Sequence, residues 1–174
     1  HYKDFFAFAK ASGLRLRECL LKWTEVNFDT RRIQKKGKGG KLVTAPITRE
    51  VWAILWPLRR DHPIEVFTYV AKRTRGGRVK GQRYPLTYSG VKITWRRLRA
   101  KAGVKDFRFH DHRHDLATKM LRHTGNLKLV QRLLNHSDLK TTLRYAHVQD
   151  SEVADALESH AESRSKSRNE IKKA

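Results

Sequence analysis

Apolar residues fall along this chain in two rhythms, a helical one at both ends and a strand-like one between them. Phe5, Phe6, Phe8 and Ala9 mark an opening helix that Gly13 ends or interrupts. Leu16, Leu20 and Trp23 recur at helical spacing on a segment that also carries Arg15 and Glu18. The rhythm then shortens. Val26-Asn27-Phe28, Arg32-Ile33-Gln34 and Leu42-Val43-Thr44 read as three short strands, joined by Asp29-Thr30 and by the glycine-rich turn Lys36-Gly37-Lys38-Gly39-Gly40. After Pro46, a helical stripe returns at Val51, Ile54, Leu55 and Leu58. Thr48 suits its N-cap, because a threonine hydroxyl can accept from an unsatisfied N–H of the first turn. Residues 67–87 are irregular and basic, interrupted by Gly76-Gly77, Gly81 and Pro85. An extended loop fits them, with one short strand at Val66 to Tyr69.

The second half is helical throughout. Val91, Trp95, Leu98 and Ala102 make one stripe, closed by Gly103. Another helix starts near His110 and is expected to bury Leu116 and Met120. A third uses Leu127, Val130 and Leu134 behind an Asn126 N-cap, and Asp138 caps a last one expected to carry Tyr145. The fold class this predicts is mainly α with a small antiparallel β-sheet at one edge (α+β), spanning residues 1–153. Residues 154–174 turn polar and mixed in charge, either a frayed end or a segment that orders only on a partner.

Charge changes the picture. Lys and Arg outnumber Asp and Glu by 39 to 17 over 174 residues, a formal charge of +22. A field of that sign draws in a polyanion and speeds encounter with it, although a merely solvated basic surface has the same composition. Cys19 is the single cysteine, which excludes an intrachain disulfide and a cysteine-based zinc site and fits a reducing cytosol. No apolar run approaches the roughly 20 residues that cross a bilayer, so no membrane partner is expected. The chain opens on His1 rather than Met, as a fragment would; an excised leader is the alternative.

Candidate chemistry gathers in four places: Gly13-Leu14-Arg15-x-x-Glu18, His110-x-x-Arg113-His114, Leu134-Asn135-His136, and Thr141-Thr142-x-x-Tyr145. Arg, then His-x-x-Arg, then His, then Tyr, in this order and spacing, resembles the catalytic domain of the tyrosine recombinase (phage integrase) family, over roughly residues 5 to 150. The resemblance implies a DNA strand-breaking and rejoining enzyme that works through a 3′-phosphotyrosine. It implies double-stranded DNA as partner and a homotetramer on paired DNA sites in the full-length protein. A helical core-binding domain would precede this one in the full-length protein and is expected to lie outside these residues. A cytoplasmic, nucleoid-associated place in a prokaryote or phage follows. No cofactor, neither metal nor ATP, is required, because the phosphotyrosine stores the bond energy.

The resemblance also assigns roles. Tyr145 is the nucleophile; a free phenol, with a pKa of about 10, is weak at neutral pH unless its surroundings accept its proton. Arg15 and Arg113 suit the non-bridging phosphate oxygens, since a guanidinium presents parallel donors and stays charged. Glu18, one turn after Arg15, can hold it, while Arg17 should face away. His110 can accept or relay the tyrosine proton, and His136 can donate to a phosphate oxygen. His114 is expected to orient rather than react. In the family, a lysine on the turn between the second and third strands protonates the leaving 5′-oxygen. Lys38 is preferred because it lies within Gly-Lys-Gly, eight residues before Pro46, and Lys36 is the runner-up. Lys35, Lys36, Lys41, Arg73, Arg75 and Arg78 are the expected DNA contacts.

Departures from the family pattern are Asn135 where Gly is usual, His112 where Leu is usual, and Asp115 where a small residue is frequent. His112 puts the local packing in question, because a buried imidazole needs partners. Three rival readings stay open at this stage: a metal site at His110-x-His112-x-His114, a DNA-binding module without catalysis, and a type IB topoisomerase using the same chemistry. The first is disfavoured on a helix, where His110 and His112 diverge by roughly 200°.

Overall fold

The computed structural model describes residues 2–146, 153–154 and 156–162. Helix α1 (Tyr2–Ser12) forms because Phe5, Phe8, Ala9 and Ser12 share one buried face. Gly13 ends it at a φ of +64°, and a Cβ there would sit 2.7 Å from the Leu116 side chain, so both the turn and the close approach demand glycine. The helical spacing through Trp23 does not become one helix. Only α2 (Leu16–Cys19) forms; then Leu21 turns into the core and Trp23 is drawn across the chain. The Trp23 N–H donates to the Ile64 carbonyl and its indole to the His62 carbonyl, each at 2.9 Å.

The expected sheet is present. Strands β1 (Val26–Asn27), β2 (Arg32–Lys36) and β3 (Leu42–Pro46) form an antiparallel meander with Ile33 opposite Ala45 and Lys35 opposite Val43. Its inner face buries Ile33, Val43 and Ala45. Thr48 caps α3 (Arg49–Leu55) by accepting from the Val51 N–H at 3.3 Å. Leu58 lies in the tighter 3-10 turn that follows it, Trp56–Arg60. The basic stretch expected to be mostly loop contains a second hairpin, β4 (Thr68–Val70) with β5 (Arg83–Pro85), in which Tyr69 faces Tyr84 across the strands.

Helix α4 (Tyr88–Lys101) is capped by Thr87, and α6 (Leu127–Leu133) by Asn126, whose side chain accepts from the Leu129 N–H at 2.9 Å. Between them runs α5 (Asp111–Thr124). Its buried residues are Arg113 and Ala117; the expected Leu116 and Met120 are only half-buried, Leu116 leaning on Gly13. Asp138 does accept from the Lys140 N–H, at 2.9 Å, but α7 (Lys140–Leu143) is one turn long. Tyr145 therefore stands in the turn beyond it rather than on a helix. Residues 153–154 and 156–162 are helical and exposed, and the rest of the expected polar tail lies outside the described residues.

Two apolar clusters result. The large one joins α1, the sheet, α3 and Val91 of α4 around Phe5, Phe8, Leu21, Ile33, Val51 and Leu55. The small one holds Ala117, Val130 and Leu134, with Met120, Leu121 and Tyr145 against it. Helix α1 packs on both α3 and α5, and so bridges the two.

Candidate active site

Arg15 stands in extended backbone just ahead of α2. The Glu18 carboxylate accepts from the Arg15 N–H at 2.8 Å and from its guanidinium at 3.0 Å, so one carboxylate both caps the short helix and orients the arginine. The Glu18 side chain is 6% exposed and that of Arg15 is 42% exposed; the anchor is buried and the cation faces out.

Arg113 is its opposite, with 2% of its surface exposed. Its guanidinium donates to the Gly13 carbonyl at 2.6 Å and to the Leu134 carbonyl, tying the end of α1 to the end of α6. Burial and the neighbouring charge of Arg15 push its pKa down to about 10, and Glu18 works against that shift. Two guanidinium groups and one carboxylate leave surplus positive charge here, which an anion would relieve.

The remaining groups converge on this charge. Tyr145 donates to, or accepts from, Nδ1 of His114 at 2.6 Å. Burial raises the phenol pKa while Arg113, Arg144 and Arg15 pull it back. His110 meets His114 edge-on with ring centroids 4.7 Å apart, and burial, then His114, Arg113 and Arg15, lower its pKa. His136 follows α6, and its Nδ1 lies 3.0 Å from Oγ1 of the fully buried Thr142. Burial first, then Arg113 and Arg15, bring its pKa down to about 4, so the ring is neutral at physiological pH. The structure thus brings together Arg15, Glu18, His110, Arg113, His114, His136 and Tyr145.

A groove of about 1240 Å³ opens from Arg15, Glu18 and His110. Lys36 and Gly37 of the hairpin form one side, and Tyr88, Lys92, Arg96 and Arg99 of α4 the other. The backbone of Lys38 sits in the 3-10 turn between β2 and β3, and its side chain lies outside the described residues. Lys41 donates to Oγ of Ser137 at 2.7 Å, linking that turn to the loop beside His136. Arg73, Arg75 and Arg78 are exposed on the loop between β4 and β5 and are not among the groove residues.

Lys35, one of the expected DNA contacts, lines the groove but is also tied inward. Its ammonium donates to the Leu20 carbonyl and to Glu25 at 3.0 Å, an internal tie. Strand alternation held the signal, because Lys35 shares the face of buried Ile33. Sequence reasoning also missed the basic wall of α4, although Lys92, Arg96 and Arg99 are spaced to share one helical face. Arg17, expected to face away from Arg15, lines the same groove, its guanidinium 4.4 Å over the Tyr88 ring.

Two departures from the family pattern have structural accounts. Asn135 adopts a φ of +49°, the left-handed region that glycine and asparagine tolerate best. Its side chain accepts from the Thr44 N–H and donates to the Thr44 carbonyl, each at 3.1 Å, clipping the turn before His136 onto β3. His112 packs edge-on among Trp95, Phe107 and Phe109; its Nε2 has no hydrogen-bond partner, and burial lowers its pKa. Its ring is thereby turned away from His110 and His114. Among the described residues no three of His, Cys, Asp or Glu gather as they would around a metal ion. No helix among them is long and apolar enough to cross a membrane.

The model of the phage integrase family matches residues 1–152. Tyrosine recombinase XerC of Xanthomonas axonopodis pv. citri is 34% identical over 140 residues, covering 79% of this chain and 44% of that protein. Tyrosine recombinase XerA of Pyrococcus furiosus is 32% identical over 155 residues, covering 84% of this chain and 50% of its own. A crystal structure of XerA recombinase superposes with a TM-score of 0.59 at 26% identity, over 91% of this chain and 60% of that one. The Tn1549 transposon integrase, solved with a circular intermediate DNA, shares the fold at a TM-score of 0.66 and 19% identity, over 90% of this chain and 58% of that one. The chain belongs to the phage integrase family, with the fold of tyrosine recombinase catalytic domains. It spans about half the length of the relatives it matches.

Proposed function

We propose that this chain is the catalytic part of a site-specific DNA recombinase, cleaving and rejoining double-stranded DNA through a 3′-phosphotyrosine at Tyr145. The observation that carries the reading is the placement of the Tyr145 hydroxyl, hydrogen-bonded to His114 and within the field of Arg113 and Arg15, with His110, whose ring meets that of His114, lining a basic groove. Relatives named as recombinases favour it over a relaxing topoisomerase.

In this reaction the Tyr145 oxygen attacks the phosphorus and the 5′-oxygen leaves with a proton from Lys38. Arg15 and Arg113 offset the charge that gathers on the non-bridging oxygens. His136, neutral, donates from Nε2 to one of them. That requires the Nε2–H tautomer, in which Nδ1 accepts from the Thr142 hydroxyl. One phosphodiester is exchanged for another, so the reverse attack by a 5′-hydroxyl of a second strand completes transfer without an energy source. The groove walls, with Lys36, Lys92, Arg96 and Arg99, follow the phosphate backbone, and Lys41, Arg73, Arg75 and Arg78 extend the contact. The rest of the relatives' length would supply a second arm of a clamp, and four copies would act on two paired sites in the nucleoid.

Incubation with nicked suicide substrates, followed by a denaturing gel, tests this. The chain should form a covalent adduct that survives excess chelator. Tyr145→Phe should remove the adduct while leaving non-covalent binding nearly intact. An adduct that persists in Tyr145→Phe, or one lost on chelation and restored by a single divalent ion, would overturn the reading. With a 5′-bridging phosphorothiolate, whose leaving group needs little proton assistance, Lys38→Ala should recover and Lys36→Ala should not.

A further inference from the structure

The pattern His-x-x-Arg draws attention to His110 as the base, but the phenol is bonded elsewhere. We propose that His114, not His110, takes the proton from Tyr145 as the phenol attacks. The inference rests on the reading of Tyr145 as nucleophile and adds the fate of its proton. Nδ1 of His114 is 2.6 Å from Oη of Tyr145, with the rings 5.6 Å apart and tilted by 43°. His110 meets the His114 ring edge-on, with centroids 4.7 Å apart.

The step balances as follows. The Oη–H bond breaks and its proton moves to the Nδ1 lone pair of a neutral His114 protonated at Nε2. The Oη electron pair forms the new P–O bond, the P–O5′ bond breaks, and the 5′-oxygen takes up a proton from the lysine. His114 is suited to begin neutral, since burial lowers its pKa. Asp111, one turn earlier on α5, favours the imidazolium that forms, while Arg108, Arg113 and Arg144 oppose it. That opposition makes the proton easy to return to the tyrosine when the phosphotyrosine is resolved. His114 in turn lowers the pKa of His110, so a proton on His114 disfavours a second one on the ring it meets edge-on.

Two measurements test this on residues 1–174. Nitrogen-15 NMR of histidine-labelled protein reads the tautomer with no need of activity. A bare, hydrogen-bonded Nδ1 on His114, shifted by Tyr145→Phe, is expected; a proton resident on Nδ1 and donated to the phenol oxygen would overturn the proposal. In the cleavage assay, His114→Ala and His114→Gln should both lose about 100-fold at pH 7. Neither should be rescued by the 5′-phosphorothiolate, which acts on the other end of the reaction. The deficit should shrink as pH rises towards the phenol's own range, or when residue 145 is replaced by the more acidic 3-fluorotyrosine. A deficit independent of pH and fluorination, or a His114→Gln variant within about threefold of the parent, would show that His114 only holds the ring. Absence of an adduct from the parent chain would instead count against the proposed function, and the nitrogen spectrum would still decide the role of His114.

Discussion

Two regions meet at Gly13, and different forces hold them. Around α1, the sheet and α3, fully buried Phe5, Phe8, Ile33, Val51 and Leu55 interlock, so the region is stabilised mainly by apolar area removed from water. Around α5 to α7 only Ala117, Val130 and Leu134 are buried apolar side chains, and polar ties take over. Arg113 joins the Gly13 and Leu134 carbonyls, Asn135 clips onto Thr44, Lys41 reaches Ser137, and Thr142 holds His136. The difference is instructive because the second region carries His110, Arg113, His136 and Tyr145. Where the chemistry is proposed to sit, Arg113, which would touch phosphate, also holds the backbone, so its function and its part in stability cannot be varied independently.

The largest effect should come from the first region. Phe8→Ala should cost about 3–5 kcal/mol, a cavity in a close-packed core, and denaturant unfolding should show both regions lost together. Arg113→Met should cost less, about 2 kcal/mol, because the lost charge-assisted bonds are partly offset by no longer burying a cation. Its signature is locality: hydrogen exchange should quicken across 126–145 while α1 and α3 keep their protection. Uniform loss of protection would mean that the two regions are not separable as the comparison holds.

The first region was also the more legible in sequence. Its periodicities, the Thr48 cap and the glycine turn gave the strands and α3 nearly as found, because near neighbours decide them. What failed there depended on distant partners. Trp23 leaves the expected helix for carbonyls some forty residues away, and β5 exists because Tyr84 finds Tyr69. Across both regions, the order of motifs gave Arg15, His110, Arg113, His136 and Tyr145 as one set, and the fold brings Arg15 to the charges of the second region. Their individual contacts were not legible: the bonds from Tyr145 to His114 and from Asn135 to Thr44 span 31 and 91 residues. Half-burial of Leu116 and Met120 misled the stripe reading of α5, whose inner face is given to an arginine.

A smaller, reversible effect should separate the regions by acidity. His110, His112, His114 and His136 all have depressed pKa values, and they lie at the start of α5, on it, or just after α6. Above an ordinary histidine pKa of about 6.5, both folded and unfolded chains hold these rings neutral and pH has no leverage. As pH falls below that, the unfolded chain binds protons that the folded one refuses, so stability declines. For His136 the decline continues to its folded value of about 4. Exchange at pH 5 against pH 7, corrected for intrinsic rates, should therefore rise first in α5 to α7. An equal rise in α1 and α3 would contradict the division.

The smallest effect should lie at the clip between the regions. Asn135→Gly keeps the left-handed backbone but removes both bonds to Thr44, which at this half-buried site should cost about 1 kcal/mol. Asn135→Ala removes the same bonds and adds about 1 kcal/mol or more for a left-handed residue with a Cβ. The difference in urea midpoint between the two variants therefore reports backbone strain alone, and the loss common to both reports the clip. Because the clip sets where His136 starts, Asn135→Gly should also slow adduct formation a few-fold while leaving DNA affinity in the groove unchanged. Should Asn135→Gly match the parent in both midpoint and rate, the sheet would have no part in positioning His136, and Thr142 and Arg113 would hold that turn without it.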